Sequence, residues 1–240
     1  MSDPVAIFTI AEGPTDVAVI GAVLDALDER YTLTTLQPEG DGLSGPVNSV
    51  LGYGWRDGVR AFCQQEQTTI DVSSALGVVV IHIDADVARR NKADFPRDLS
   101  RPCPPARGTC DEVRSEILSW LGVAATPDGV VLCIPAQTIE TWVLAALDPA
   151  FLTQIFNSRL SREQNKEKER LQALGAGALF ECRDDPEESL PRVGLTKTPE
   201  AFAAARQRLV KGWEHARGLP EAARFEEELR AALAVLALRG

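Results

Sequence analysis

Short apolar stretches alternate along the first part of the chain with stretches whose apolar residues recur at helical spacing. Residues 5–11, 77–83 and 129–134 are rich in β-branched residues, which predicts strands covered on both faces. Residues 31–36 are predicted to form a second, half-exposed strand. Because strands that alternate with helices favour a parallel sheet with right-handed crossovers, we expect an α/β fold with helices flanking a parallel sheet.

Helices are predicted between these strands. Pro14 suits the first helical position, and Val17, Ile20, Val23, Leu24 and Leu27 follow at helical spacing. Residues 57–67 and 138–147 are also predicted to be helical. Thr109 and Glu112 match a capping box, which predicts a helix over residues 110–121.

Between the third strand and that helix lies segment 87–108. It is polar and interrupted by prolines, so we expect it to lie outside the core.

The pattern of the sequence changes near residue 150, where apolar strand-like stretches give way to charged helical sequence. We expect residues 1–150 to form a sheet-bearing domain and residues 151–240 to form a helical C-terminal extension that packs on it. Residues 161–174 and 202–238 are predicted to be helical, the latter with two apolar faces. The acidic residues 184–188 are predicted to form a solvated loop that lies away from any nucleic acid.

Composition narrows the classes of protein. The chain has 240 residues, of which 45% are hydrophobic and 25% charged, so it can bury a core. Its apolar runs are shorter than the ~20 residues that a membrane span needs. The formal net charge of −10 argues against holding nucleic acid by bulk charge. Five scattered cysteines indicate neither a disulfide framework nor a zinc site, and we expect a cytoplasmic protein.

Acidic residues follow the predicted strands at the points where they end. Glu12 and Asp16 follow the first strand, Asp84 and Asp86 follow the central strand, and Glu140 comes shortly after the last. Ligands of open parallel sheets bind at the carboxyl ends of the strands, where these side chains are expected to meet. Carboxylates so close together need a counter-charge, which a hard divalent cation such as Mg²⁺ supplies.

Simpler interpretations exist for some of these acids. Asp16 and Glu140 each suit the first turn of a helix, where the helix dipole favours an acid. Glu12 is harder to explain in this way, because a carboxylate at the end of a buried strand is costly unless it is paired. His82, in the central strand, either orients a ligand or is a core histidine.

The two acidic motifs resemble those of the TOPRIM family. Residues 12–16, Glu-Gly-Pro-Thr-Asp, are similar to the glutamate motif after its first strand, and residues 82–86, His-Ile-Asp-Ala-Asp, to its Asp-x-Asp motif. The resemblance covers residues 4–148 and implies a Rossmann-like parallel sheet. It also implies that Glu12 is a metal ligand or general acid/base and that Asp84 and Asp86 bind Mg²⁺ or Mn²⁺.

The resemblance further implies a metal-dependent nuclease, similar to stand-alone bacterial TOPRIM proteins and OLD-family nucleases, with a role in antiphage defence. Residues 138–142 are similar to a Glu-x-Trp helix of small TOPRIM proteins, which would add Glu140 as an auxiliary residue. No topoisomerase module fits within 240 residues. No P-loop occurs either, so any ATP hydrolysis needs a partner protein.

Basic residues follow the second acidic motif. Arg89, Arg90 and Lys92 open a segment, residues 89–107, with six basic residues against two aspartates. Arginine side chains there suit the phosphates of a nucleic acid strand, although a solvated surface loop is the alternative. Lys197 is a further candidate, because a lysine that reaches the metal site would neutralise charge on a pentavalent phosphate.

Two main hypotheses follow. In the first, the chain is a Mg²⁺- or Mn²⁺-dependent phosphodiester hydrolase of DNA or RNA, with Glu12, Asp84 and Asp86 as catalytic residues and Asp16 as a further metal ligand. In the second, it is a non-catalytic subunit that docks onto an ATPase through its helical C-terminal part. Chemistry on nucleotides or small phosphoesters is a third option. Homo-oligomerisation is compatible with each.

Overall fold

The computed structural model describes residues 4–27, 30–38, 52–90, 98–101, 103, 105–150, 177–178, 180–182 and 186–238. Four strands are β1 (Val5–Ile10), β2 (Tyr31–Gln37), β3 (Val78–His82) and β4 (Val130–Cys133). The α-helices are α1 (Pro14–Ala26), α2 (Ala61–Gln65), α3 (Gln67–Leu76), α4 (Val87–Arg90), α5 (Arg107–Trp120), α6 (Glu140–Leu147), α7 (Pro199–Ala216) and α8 (Pro220–Ala237). A π-helical segment, Trp55–Arg60, precedes α2, and a 3-10 segment, Pro186–Val193, precedes α7.

The four strands form one parallel sheet in the order β2-β1-β3-β4. Successive side chains of β3 point to opposite faces, so Val78 and Val80 join one apolar cluster while Val79 and Ile81 join another. All five residues of β3 are buried. The α/β fold with a parallel sheet flanked by helices is therefore confirmed. The first and central strands, β1 and β3, are neighbours in it.

Helices cover both faces of the sheet. The first cluster packs α1, α6, α7 and α8 against one face, and the second packs the π-helical segment, α2, α3 and α5 against the other. Each face of the sheet is thus covered by its own set of helices, and the carboxyl ends of the strands lie between the two sets.

The two long C-terminal helices share their core with the sheet. Phe202, Leu209 and Trp213 of α7 are buried, as are Phe225 and Leu229 of α8. These residues belong to the faces predicted from sequence. They join the cluster that contains residues of β1, β3 and β4, so the sheet and the C-terminal helices bury one another's apolar surface.

One close approach fixes the position of α7. A Cβ atom on Gly212 would lie 2.0 Å from the carbonyl oxygen of Ala146 in α6, so only glycine allows the two backbones to meet there. Beside this contact, Trp142 packs edge-on against Trp213 at a ring-centroid distance of 5.9 Å.

Several local predictions were wrong. Helix α5 begins at Arg107, so Thr109 lies inside the helix rather than at its cap, and its Oγ1 accepts a hydrogen bond from the Arg101 N–H at 3.0 Å. Helix α3 was not predicted. Segment 87–108 is not excluded from the core, because Val87 and Leu99 are buried. The helix predicted at 161–174 lies outside the described residues.

The cysteines also depart from expectation. Cys103 and Cys182 form a disulfide, which joins the segment before α5 to the part of the chain that leads into the C-terminal helices. Cys63, Cys110 and Cys133 are free and buried. Among the described helices, none has the length and apolar character needed to cross a bilayer.

Candidate metal centre at the carboxyl edge of the sheet

The strand order places a topological switch point between β1 and β3. In a sheet of order β2-β1-β3-β4, the connection from β1 to β2 runs to one side and the connection from β3 to β4 runs to the other, which opens a crevice at the carboxyl ends of β1 and β3. Glu12 follows β1 and Asp84 follows β3. The two acids predicted to meet therefore flank the crevice where open parallel sheets bind their ligands.

Asp84 is the centre of the cluster. Its backbone N–H donates a hydrogen bond to Glu12 Oε1 at 2.9 Å, and its own Oδ1 accepts one from the Ile139 N–H, also at 2.9 Å. Ile139 is the residue before α6, so the Asp84 carboxylate holds the start of that helix. Three chain segments are thereby joined at one aspartate.

His82 lies between two of the carboxylates. Its side chain is completely buried, with Nε2 3.2 Å from Asp84 Oδ1 and Nδ1 3.6 Å from Asp16 Oδ2. Neither nitrogen forms a hydrogen bond, so both approaches are electrostatic contacts. His82 is therefore a core histidine whose ring faces Asp16 and Asp84, and its orientation of a ligand stays a prediction.

Asp16 has a structural role as well as a place in the cluster. Its Oδ2 accepts a hydrogen bond from the Gly13 N–H at 2.8 Å, which ties the start of α1 to its first turn. The interpretation of Asp16 as an acid in the first turn of a helix is therefore correct. The same carboxylate faces His82 and lies close enough to Asp84 to affect its ionisation.

Glu140 and Lys197 join the centre from two different parts of the chain. Glu140, the first residue of α6, is completely buried, and Lys197 Nζ lies 2.9 Å from its Oε1. This ion pair lacks hydrogen-bond angles, whereas the same Nζ donates a 2.6 Å hydrogen bond to Glu187 Oε1. The expectation that the acidic segment 184–188 lies away from the site is therefore wrong for Glu187.

Burial and mutual repulsion disfavour ionisation of Glu12, Asp16 and Asp84. Burial, assisted by the charge of Asp84, raises the pKa of Glu12 to about 8. Burial also raises the pKa of Asp16, and raises that of Asp84 well above its usual range with help from Asp16, Glu140 and Asp86. Burial alone would lower the pKa of Lys197, but Glu140 and Glu187 outweigh it and raise that pKa.

The chemistry of these donors fits a hard divalent cation. The carboxylates of Glu12, Asp16 and Asp84 lie within electrostatic reach of one another, that of Glu140 lies within reach of Asp16 and Asp84, and that of Asp86 lies within reach of Asp84. His82 and Lys197 contact three of these acids. Both carboxylate oxygens of Glu140 are buried without a hydrogen-bond partner. In the part of the chain that the structure describes, no three His, Cys, Asp or Glu side chains form a ready-made ligand set. The fit therefore rests on charge and donor type.

The basic residues of segment 89–107 do not act as one group. Arg101 pairs with Glu112 at 2.7 Å and Arg107 with Glu221 at 2.9 Å, so both bind the protein itself. Arg89 ends the turn that follows the Asp-x-Asp motif, and its N–H donates to the Asp86 carbonyl at 2.9 Å. The side chain of Arg90 and all of Lys92 lie outside the described residues.

Residues 52–60 form a further wall of the crevice that was not predicted from sequence. The Gly54 N–H donates to the Glu12 carbonyl oxygen at 2.9 Å, which fixes this segment beside the first acidic motif. Gln37, at the end of β2, donates from Nε2 to the Gly52 carbonyl at 2.6 Å. The glycines at 52, 54 and 58 were the available sequence signal, since clustered glycines mark close backbone approaches.

The fold and the crevice define an α/β protein with an acidic centre at the switch point of a parallel sheet. Comparisons of this chain with protein-family models, with curated proteins and with solved structures found no match.

Proposed function

We propose that this protein is a Mg²⁺- or Mn²⁺-dependent phosphodiester hydrolase that acts on nucleic acid and has a TOPRIM-like centre. The hydrogen bond between the Asp84 N–H and Glu12 supports the proposal most strongly, because it brings the two acidic motifs into contact at the switch point. The surrounding excess of carboxylates supports a divalent cation in the same place.

We assign the residue roles from the sequence motifs together with the contacts described above. Glu12, Asp84 and Asp86 would hold the ion, with Asp16 as a further ligand, and a bound cation there would polarise a phosphoryl oxygen and activate water. Without a bound ion, burial raises the pKa of Glu12 to about 8, which favours its protonated form at neutral pH. Binding of a cation would displace that proton. His82 and Ile139 hold Asp84 in place, and Arg89, Arg90 and Lys92 would bind flanking phosphates.

Lys197 and Glu140 are proposed as auxiliary residues. Glu140 lies within electrostatic reach of Asp16 and Asp84, and Lys197 is its partner. We place Lys197 at the margin of the centre, where its ammonium balances the buried acid. By the TOPRIM resemblance, the biological setting would be antiphage defence.

The alternative is a non-catalytic subunit that binds an ATPase. The apolar faces of α7 and α8 named above are buried within this chain, so they cannot supply the docking surface. An ATPase partner would have to bind elsewhere.

The test compares wild-type protein with Asp86→Asn on plasmid, single-stranded DNA and RNA, with Mg²⁺, Mn²⁺ or EDTA. We expect cleavage only with a divalent cation and a loss of at least about 100-fold in the variant, since one charged ligand is lost. Asp71→Asn on exposed α3 is the matched control and should cleave normally. Equal cleavage by wild type and Asp86→Asn would refute the hydrolase assignment, and activity that appears only with an added ATPase would favour the alternative.

A further inference from the structure

Tyr53 is a large aromatic side chain exposed at the edge of the crevice. Its relative exposure is 62%. It is the residue before Gly54, whose N–H binds the Glu12 carbonyl oxygen. Tyr53 therefore stands next to the first acidic motif at the carboxyl end of the sheet.

The backbone on both sides of Tyr53 is held firmly. The Gly52 N–H donates to the Asp57 carbonyl at 2.9 Å, and the Gly52 carbonyl accepts from Gln37 Nε2. Gly54 has a φ of 78°, a left-handed conformation that turns the chain into the π-helical segment. An exposed ring on a fixed backbone loses little conformational entropy when a planar ligand stacks on it.

Cationic side chains follow within one helical turn. The Arg56 guanidinium lies over the Trp55 ring at 5.7 Å, and the Arg60 guanidinium lies over the Trp120 ring at 5.8 Å. The two tryptophans stack on each other with centroids 6.3 Å apart. Stacking on buried rings holds both guanidinium groups at the surface of the segment, which carries two arginines against one aspartate.

We propose that Tyr53 is a stacking platform for an unpaired nucleobase, and that the positive charge of the adjacent segment, residues 55–60, attracts the neighbouring phosphates. An exposed aromatic ring beside cationic side chains is the chemistry that recognises single-stranded nucleic acid, DNA or RNA. A base within a duplex is already stacked and cannot use the platform. The inference rests on the proposed function, and it specifies the substrate as a strand with unpaired bases at the cleavage site.

The test measures binding independently of cleavage. Fluorescence anisotropy with labelled oligo-dT, oligo-U, duplex DNA and a strand of abasic sites, each of about 12 nucleotides, is recorded with Ca²⁺ in place of Mg²⁺. The variants are Tyr53→Ala and Tyr53→Phe. Leu76→Ala is the matched control, because Leu76 is an equally exposed apolar residue just before β3, at the opposite end of the sheet.

We expect Tyr53→Ala to weaken binding of oligo-dT, oligo-U or both by about 5- to 100-fold, the loss typical of one base stack. Tyr53→Phe and Leu76→Ala should bind as wild type does, and the abasic strand and the duplex should not distinguish Tyr53→Ala from wild type. Unchanged binding of both single strands by Tyr53→Ala, an equal loss on the duplex, or no binding by wild type would overturn the platform.

Cleavage assays separate this proposal from the hydrolase proposal. If wild type binds single strands through Tyr53 but cuts none of them, the platform stands and the hydrolase assignment fails. If wild type cuts and Tyr53→Ala binds and cuts equally well, only the platform fails.

Discussion

Replacing Lys197 with methionine tests the central electrostatic claim about the centre. Methionine keeps the length and apolar character of the side chain but removes the ammonium, which lies 2.9 Å from the completely buried Glu140 carboxylate. The variant therefore leaves a buried acid without its nearest counter-charge. A divalent cation in the crevice should replace that charge.

The expected cost follows from the geometry. At an effective dielectric constant of about 20, two unit charges 2.9 Å apart attract each other by roughly 6 kcal/mol. The Lys197 side chain is 41% exposed, so solvent screening and the energy of desolvating the pair reduce the net contribution. We expect the free energy of unfolding to fall by about 1–3 kcal/mol in EDTA.

Urea unfolding of wild type and Lys197→Met, in EDTA and in saturating Mg²⁺, measures this effect. Because the ion stabilises the folded state and supplies positive charge, the difference between the proteins should shrink to less than half in Mg²⁺. Glu187→Gln is the control, since it removes only the surface partner of Lys197 and should cost less than about 1 kcal/mol. Equal stability in EDTA, or an unchanged difference in Mg²⁺, would refute the reasoning.

Three further predictions concern the fold. Burial raises the pKa of Glu181 from 4.5 to about 8. Between pH 4.5 and pH 8, the folded protein therefore binds a proton at Glu181 that the unfolded chain has lost. Because of this, the free energy of unfolding falls as the pH rises through that range. Glu181→Gln removes this dependence and should be more stable than wild type by roughly 2–5 kcal/mol at pH 9 yet similar near pH 4.5, as measured by urea titration. Gly212→Ala should cost more than about 2 kcal/mol in the same assay, because its Cβ would meet the Ala146 carbonyl; a neutral effect would contradict the close packing. Reducing the Cys103–Cys182 disulfide should cost about 2–4 kcal/mol, and an unchanged melting temperature under dithiothreitol would contradict the bridge.

The sheet could be predicted because it depends on local sequence patterns, and the meeting of Glu12 with Asp84 was expected only if the first and central strands are neighbours. A continuous apolar run such as β3 has few alternatives to a buried strand. Once β1 and β3 are neighbours, their carboxyl ends coincide, so the acids that follow them must be close.

Features that depend on distant contacts could not be predicted. Thr109 matched a capping box, but tertiary contact with Arg101 gave its hydroxyl another use and α5 starts earlier. Cys103 and Cys182 are separated by 79 positions and show no spacing signal. Lys197 was a candidate from sequence, but no local pattern indicates that its ammonium pairs with Glu140.

The origin of Lys197 has a consequence for synthesis of the chain. During synthesis, the five acids, residues 12 to 140, are added to the chain before Lys197 and before helices α7 and α8, which cover α1 and α6. Nascent protein tends to fold from its amino end. In the early intermediate, the acids must therefore be protonated or hydrated. The ammonium group of Lys197 balances Glu140 only after Lys197, α7 and α8 have packed against the sheet domain.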